Sequence, residues 1–305
     1  MTAVARERAI PRDAVAGKRK KGLQPRRVML HAFLIGISAL WLFPLLWTVY
    51  TSFRPYGETA KNGYVSIATS LTLDNYINAW DQGKIPMFFL NTIIILVPSV
   101  ITVLLLASAI AFAVSRFSFR FNLFLLMLFT AGNLLPAQVI ITPLYRMYLA
   151  LPLPAFLSGN GVWYDQYFGI IMIHIAFQLG FCTFVLSNYM KTLPKELTEA
   201  ALVDGASVLR TFWQVILPLC RPPLAALATL EFTFIYNDFF WALTLMFTGN
   251  KRPITSALNN LQGQFFSDNN LLAAGSIIIA LPTLVVYFVL QGQFVRGLTL
   301  GSTKG

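Results

Sequence analysis

Six long apolar windows recur along this chain, at positions 28–50, 87–114, 121–147, 167–190, 224–247 and 271–295. Each exceeds the roughly 20 residues that a helix needs to cross about 30 Å of hydrocarbon. Charges inside them are confined to Arg146 at the outer end of the third and to Glu231 and Asp238 in the fifth. With 56% hydrophobic residues, 11% charged residues and a mean hydropathy of +0.65, a water-soluble core would aggregate. The expectation is an all-α integral membrane protein with six spans, both ends on one face of the bilayer.

Charge sets the orientation. Most of the +11 net charge comes from one tail carrying Arg6, Arg8, Arg12, Lys18 to Lys21, Arg26 and Arg27. A basic tail directly before an apolar span favours the cytoplasmic side and anionic lipid, not nucleic acid. Arg116, Arg120, Lys191, Lys195, Arg210, Arg221, Arg296 and Lys304 fall on the same side; Arg54, Lys61, Lys84, Arg146, Lys251 and Arg252 fall opposite. Both termini are therefore expected in the cytoplasm of a multi-pass inner-membrane protein. The first window is too long for a signal-peptide core and lacks a small-residue cleavage site after it.

The resulting domain plan is a basic tail at 1–27, a transmembrane body at 28–295 and a short tail at 296–305. On the outer side, residues 51–85 should hold an amphipathic surface helix bearing Asn75, Tyr76, Trp80 and Asp81. Residues 151–166, rich in Pro and Gly with Trp163 and Tyr164, suit an interfacial turn. Pro44, Pro98, Pro136, Pro143 and Pro282 imply kinked helices facing a bundle interior.

The long inner loop, 191–222, is the most informative stretch. Pro194 announces a helix at its first position, and Leu197, Ala200 and Ala201 form a small-residue stripe while Glu196, Glu199 and Asp204 stay polar. Gly205 should close it at positive φ. Ser207 then caps a second helix with an apolar face of Val208, Phe212, Val215 and Ile216, which Pro218 should stop. By pattern alone this is an amphipathic hairpin resting on the bilayer.

Glu199-Ala200-Ala201, three residues, Gly205, nine residues, then Val215-Ile216-Leu217-Pro218 resembles the EAA loop of permease subunits of bacterial ATP-binding-cassette importers; Val215 stands where isoleucine is usual. From about residue 28 to 305 the order of segments is similar to the sugar-importer permeases of the maltose type, specifically the smaller permease. The resemblance implies the type I importer permease fold with a cytoplasmic coupling helix. It assigns ATPase coupling to Glu199, Ala200, Ala201, Asp204, Gly205, Leu217 and Pro218. It also implies a second permease chain, two copies of a cytoplasmic ATP-binding subunit carrying ATP and Mg, and an extracytoplasmic solute-binding protein. The outer segment 249–270, with Lys251, Arg252, Asn259 and Gln262, would touch that receptor, and the cargo implied is a mono- to oligosaccharide, with glycerol-phosphate or amino-sugar cargo as alternatives.

Within the membrane, Gly132, Asn133, Gln138 and Thr142 either line a passage or pack helix to helix. Glu231 and Asp238, seven residues apart, are expected on one side of a continuous fifth helix, where Asn237-Asp238-Phe239 resembles a family motif suited to helix packing or a subunit interface. A proton relay lacks a carboxylate or lysine on a neighbouring span. His31 and His174 read as hydrogen-bonded core residues, and Cys182 and Cys220 as structural.

No Gly-x-x-x-x-Gly-Lys-Ser/Thr loop, His-Glu-x-x-His or Gly-x-Ser-x-Gly occurs. The expectation is thus no catalysis, no metal and no cofactor on this chain, with any ATPase a separate protein. A self-sufficient secondary transporter would require inverted repeats and intramembrane ion sites. A membrane enzyme would require a titratable cluster at one depth.

Overall fold

The computed structural model describes residues 25–118, 120–132, 136–261 and 268–299. The tail before Pro25, Asn133, Gln262 to Gln264 and the end from Leu300 lie outside the described residues. The chain divides into two units, Met1–Thr48 and Val49–Gly305.

Most of helix α1 (Pro25–Ser52) belongs to the first unit. Residues 25–46 are exposed on every side of it, as suits a helix solvated by lipid rather than by water. Pro44 lies inside the helix, and the Thr48 hydroxyl donates to the Pro44 carbonyl at 2.9 Å. His31 bonds locally, its Nδ1 2.6 Å from the Arg27 carbonyl.

In the second unit, α2 (Tyr56–Asn62) and the amphipathic α3 (Asp74–Gln82) precede the long α4 (Ile85–Arg116). Then come α5 (Asn122–Gly132), α6 (Ala137–Ala150) and α7 (Tyr167–Thr192). An arm follows: α8 (Glu196–Val203), α9 (Val208–Thr211), a π turn at Phe212–Ile216 and α10 (Leu217–Leu219). The chain ends with α11 (Arg221–Tyr236), α12 (Phe240–Leu245), α13 (Leu258–Leu261) and α14 (Asn269–Thr299).

Among the described residues, four helices are each long and apolar enough to span a bilayer: Pro25–Ser52, Ile85–Arg116, Tyr167–Thr192 and Asn269–Gln291. The third and fifth windows are not the continuous helices expected from hydropathy. The third divides into α5 and α6, whose axes differ by 95°, with Pro136 at the N-cap of α6. In the fifth, α11 has 16 residues, a rise of about 24 Å, and stops at Asn237 before α12 resumes. Two pairs are bent at a short break, Phe124–Gly132 with Ala137–Ala150 and Val208–Leu219 with Arg221–Tyr236; with each pair counted as one span, the described residues offer four to six spans.

The core of this unit is built around α4 and α7. Ala107 and Ala111 of α4, fully buried, let α7 approach closely at Cys182, Leu186 and Met190, and Phe212, Ile216 and Leu227 close the cluster from the arm and α11. A second cluster joins Ile95, Tyr148, Ile173, Tyr236, Trp241 and Ile254. Gly169 is required where it stands, because a Cβ there would lie 2.5 Å from the Trp163 carbonyl and 2.9 Å from the Tyr148 ring.

A buried arginine organises the segment between α1 and α3. Arg54, 0% exposed, donates from Nη1 to the Tyr64 carbonyl at 2.7 Å and from Nη2 to the Ser66 hydroxyl at 2.7 Å. The Asn75 and Asn270 amides donate to the Arg54 carbonyl at 2.8 and 2.9 Å, pinning α3 and α14 to the same turn. Paired in this way, buried polar groups are tolerated and specify one arrangement.

Candidate functional site

The arm between α7 and α11 carries the motif residues. Helix α8 starts at Glu196, two residues beyond Pro194, rather than at the proline. It ends in a Schellman motif: the Ala206 N–H donates to the Ala201 carbonyl at 2.9 Å and the Gly205 N–H to the Leu202 carbonyl at 3.1 Å. Gly205 has φ of +79°, a conformation other residues adopt only with strain. Ser207 caps α9, its hydroxyl accepting from the Arg210 N–H at 3.3 Å.

Beyond this point the structure departs from the sequence reading. The π turn inserts one residue into the helical repeat and rotates the face that packs inward. Thr211, Phe212 and Ile216 are buried, Val215 is half-buried and Val208 is 47% exposed. Pro218 does not end the arm; it sits in the first turn of α10, and the chain breaks at Cys220, just before Pro222 and Pro223 open α11. The arm and α11 are bent by 76°.

The arm is seated on two helices. The Phe212 ring packs on Phe112 of α4 at 5.3 Å between centroids, and the Tyr189 hydroxyl of α7 donates to the Leu219 carbonyl at 3.2 Å. Arg116, closing α4, donates from Nη1 to the Leu193 and Pro194 carbonyls at 3.1 and 3.4 Å. The rest of the arm faces outward: Glu199, Ala200, Asp204 and Gly205 are exposed and Ala201 half-buried. Val203 is 87% and Leu209 66% exposed. Leu217 and Pro218 are half-buried.

The membrane-depth residues fall into two groups. Gln138 and Thr142 are exposed on α6 and Gly132 on α5, whereas Asn133 is outside the described residues. Glu231 is fully buried in α11, its Oε1 accepting from the Cys182 thiol at 3.1 Å, while Oε2 has no protein partner among the described residues. Asp238 does not share a helix with Glu231. Asn237 closes α11, donating to the Thr233 carbonyl at 2.8 Å, and Asp238 caps α12, accepting from the Trp241 and Ala242 N–H groups at 3.1 and 3.3 Å. The Asp238 carboxylate also lies 3.6 Å from His174 Nε2 on α7, so the histidine that looked isolated in sequence has an acidic neighbour.

On the other side, Asp165 organises the turn after α12, a role its sequence context did not signal. Its carboxylate accepts from the Phe247 and Thr248 N–H groups at 2.9 and 2.8 Å and from the Thr248 hydroxyl at 2.6 Å. Lys251 reaches the Asp165 carbonyl at 3.2 Å, and Arg252 donates to the Met246 carbonyl at 3.0 Å. The Asn91 amide of α4 holds the Asn250 and Arg252 carbonyls at 2.8 and 2.9 Å. Asn259 is exposed; Gln262 is outside the described residues. Among the described residues no three His, Cys, Asp or Glu side chains converge to hold a metal ion.

The described residues thus form an apolar helical body in which an exposed arm, seated on α4 and α7, joins α7 to α11. The chain belongs to the family described as binding-protein-dependent transport system inner membrane component, which matches residues 104–299. It is 34% identical over 271 residues to a probable ABC transporter permease protein of Pyrococcus horikoshii, covering 88% of this chain and 94% of that one. It is also 34% identical over 282 residues to the trehalose transport system permease protein of Mycobacterium tuberculosis, covering 91% and 96%. Its fold is similar to a chain in the crystal structure of a bacterial ABC transporter involved in the import of the acidic polysaccharide alginate, with a TM-score of 0.73 at 22% identity over 88% of this chain and 97% of that one.

Proposed function

We propose that the chain is one of two permease subunits enclosing a translocation path for a mono- to oligosaccharide. A solute-binding protein delivers the cargo outside, and two copies of a separate ATPase, which hold ATP and Mg, drive the cycle from the cytoplasm. Membership in a binding-protein-dependent family supports the receptor, and similarity to a trehalose permease and to an alginate importer supports the carbohydrate.

The single observation that carries the coupling role is the arm. Its tip, Glu199 to Gly205, is exposed while its roots are bonded to α4 and α7. In this reading the Ala200-Ala201 side enters a groove on the ATPase, Glu199 presents its charge there, Asp204 and Gly205 set the bend, and Leu217-Pro218 joins the arm to α11. Closure of the ATPase dimer moves the arm as a body and biases the spans between inward-open and outward-open states.

The same reading has six passes, both termini in the cytoplasm, a tail at 1–27 on anionic lipid and a second tail from 296. Lys251, Arg252, Asn259 and Gln262 lie on the receptor side. Gln138 and Asn133 border the path, while Glu231, Asn237 and Asp238 serve the helix interface. The test is reconstitution: the full complex in liposomes should take up a labelled oligosaccharide only with ATP inside the ATPase compartment and receptor on the opposite side. Uptake by this chain alone, or purification without an ATPase, would overturn the proposal.

A further inference from the structure

We infer that Asp238 and His174 form a strut that carries movement from the outer segment 249–261 to α7, and through α7 to the arm. The inference rests on the proposed transport reading, in which that segment meets the receptor and the arm meets the ATPase.

Asp238 is the point where three elements converge. Its carboxylate holds the first turn of α12 and stands 3.6 Å from His174, and its backbone carbonyl accepts from the Thr255 hydroxyl of the outer segment. That segment is otherwise tied to α4, through the Asn91 amide and through the Ile254 N–H donating to the Thr92 hydroxyl at 2.8 Å, and to the chain just before α7 through Lys251, which reaches the Asp165 carbonyl at 3.2 Å. Helix α4 is the support against which pressure on the segment is resolved; Lys251 meets the start of α7, and Asp238 meets α7 within its length. From His174 to the end of α7 at Thr192 the helix runs on for about 27 Å and delivers the chain to Leu193 and the arm.

Polar contacts suit this task better than the packing around them. Apolar surfaces attract without direction and can slide, whereas drawing His174 away from Asp238 would leave its buried Nε2 facing no polar group. His174 and Asp238 side chains are 6% and 9% exposed, and His174 Nε2 makes no hydrogen bond among the described residues, so the Asp238 carboxylate at 3.6 Å is the acidic group it faces. Two flanking ties limit slack. Asp165 joins the segment before α7 to the turn after α12, and the Cys182 to Glu231 contact links α7 to α11 two turns further along.

The test uses the complete complex in nanodiscs and reads the ratio of receptor-stimulated to basal ATP hydrolysis. His174→Leu and Thr255→Val should each lower that ratio by roughly five-fold or more with basal hydrolysis and complex yield unchanged. His174→Leu combined with Asp238→Asn should be no worse than the more severe single variant, as expected for two residues acting through one contact. Retained stimulation in His174→Leu and Thr255→Val would overturn the strut. If the buried variants fail to assemble, Thr255→Val, which removes only a hydroxyl at a half-buried position, decides alone. Absence of receptor stimulation in the wild-type complex would instead overturn the transport reading.

Discussion

The Arg116 guanidinium, in the last turn of α4, donates to the carbonyl of Leu193 at 3.1 Å, just where α7 gives way to the arm. One side chain thus joins the end of one long helix to the root of the arm that follows another. Arg116→Ala should leave insertion and basal ATP hydrolysis intact while uptake per ATP hydrolysed falls several-fold. Arg116→Lys, whose ammonium would have to take the place of the one guanidinium nitrogen that serves both the Leu193 and Pro194 carbonyls, should recover only part of it. Parallel measurement of uptake and phosphate release checks this.

Gly205 can be tested without steric confusion, since a Cβ there meets nothing within 4 Å. Gly205→Ala should therefore act through the backbone alone, with a penalty of roughly 1–2 kcal/mol for a non-glycine residue at φ of +79°. The amide of Ala206, which closes the Schellman motif, should exchange roughly ten-fold faster. Gly205→Asp and Glu199→Lys should uncouple hydrolysis from uptake; wild-type transport in both would count against the docking role.

Asp165 takes up the Phe247 N–H, the Thr248 N–H and the Thr248 hydroxyl at once. Asp165→Ala should destabilise the protein by roughly 1–3 kcal/mol, because those donors lose their acceptor. A melting temperature in detergent several degrees below wild type is expected, with Asp165→Asn intermediate.

Glu58 gives the segment between α1 and α3 a pH dependence. Hydrogen bonds from Thr69 chiefly, with Ser70 contributing, hold its carboxyl below the usual range. A lowered folded value means that the contribution to order is complete above the ordinary glutamate range and disappears as pH falls through the lowered value. The Thr69 amide should therefore lose exchange protection only as pH falls below the ordinary glutamate range, after correction for intrinsic rates. Glu58→Gln should remove that pH dependence.

Which of these features the sequence disclosed follows from how local each one is. Gly205 and Ser207 announce a turn and a cap through their own chemistry, and both stand in those roles. The break inside the fifth window is invisible to hydropathy, because Asn237 and Asp238 interrupt the helix without interrupting the apolar run, whereas the break in the third falls at Pro136, which proline chemistry announces. The π turn is equally hidden, since Phe212, Val215 and Ile216 fit an ordinary helical stripe. Arg116, Asp165 and His174 matter through partners 77, 82 or 83, and 64 positions away, and only the fold brings those partners together.

Everything about coupling depends on the exposed arm meeting a foreign ATPase on the cytoplasmic side. Val203, 87% exposed at the tip, offers a direct test, because the native Cys182 and Cys220 are fully buried and add little background. Val203→Cys in the assembled complex, treated with a short reagent that joins a thiol to an amine, should give an adduct with the ATPase subunit and resist an impermeant thiol label applied to intact cells. Labelling of Cys at 203 from outside the cell, with no adduct to the ATPase, would contradict the account.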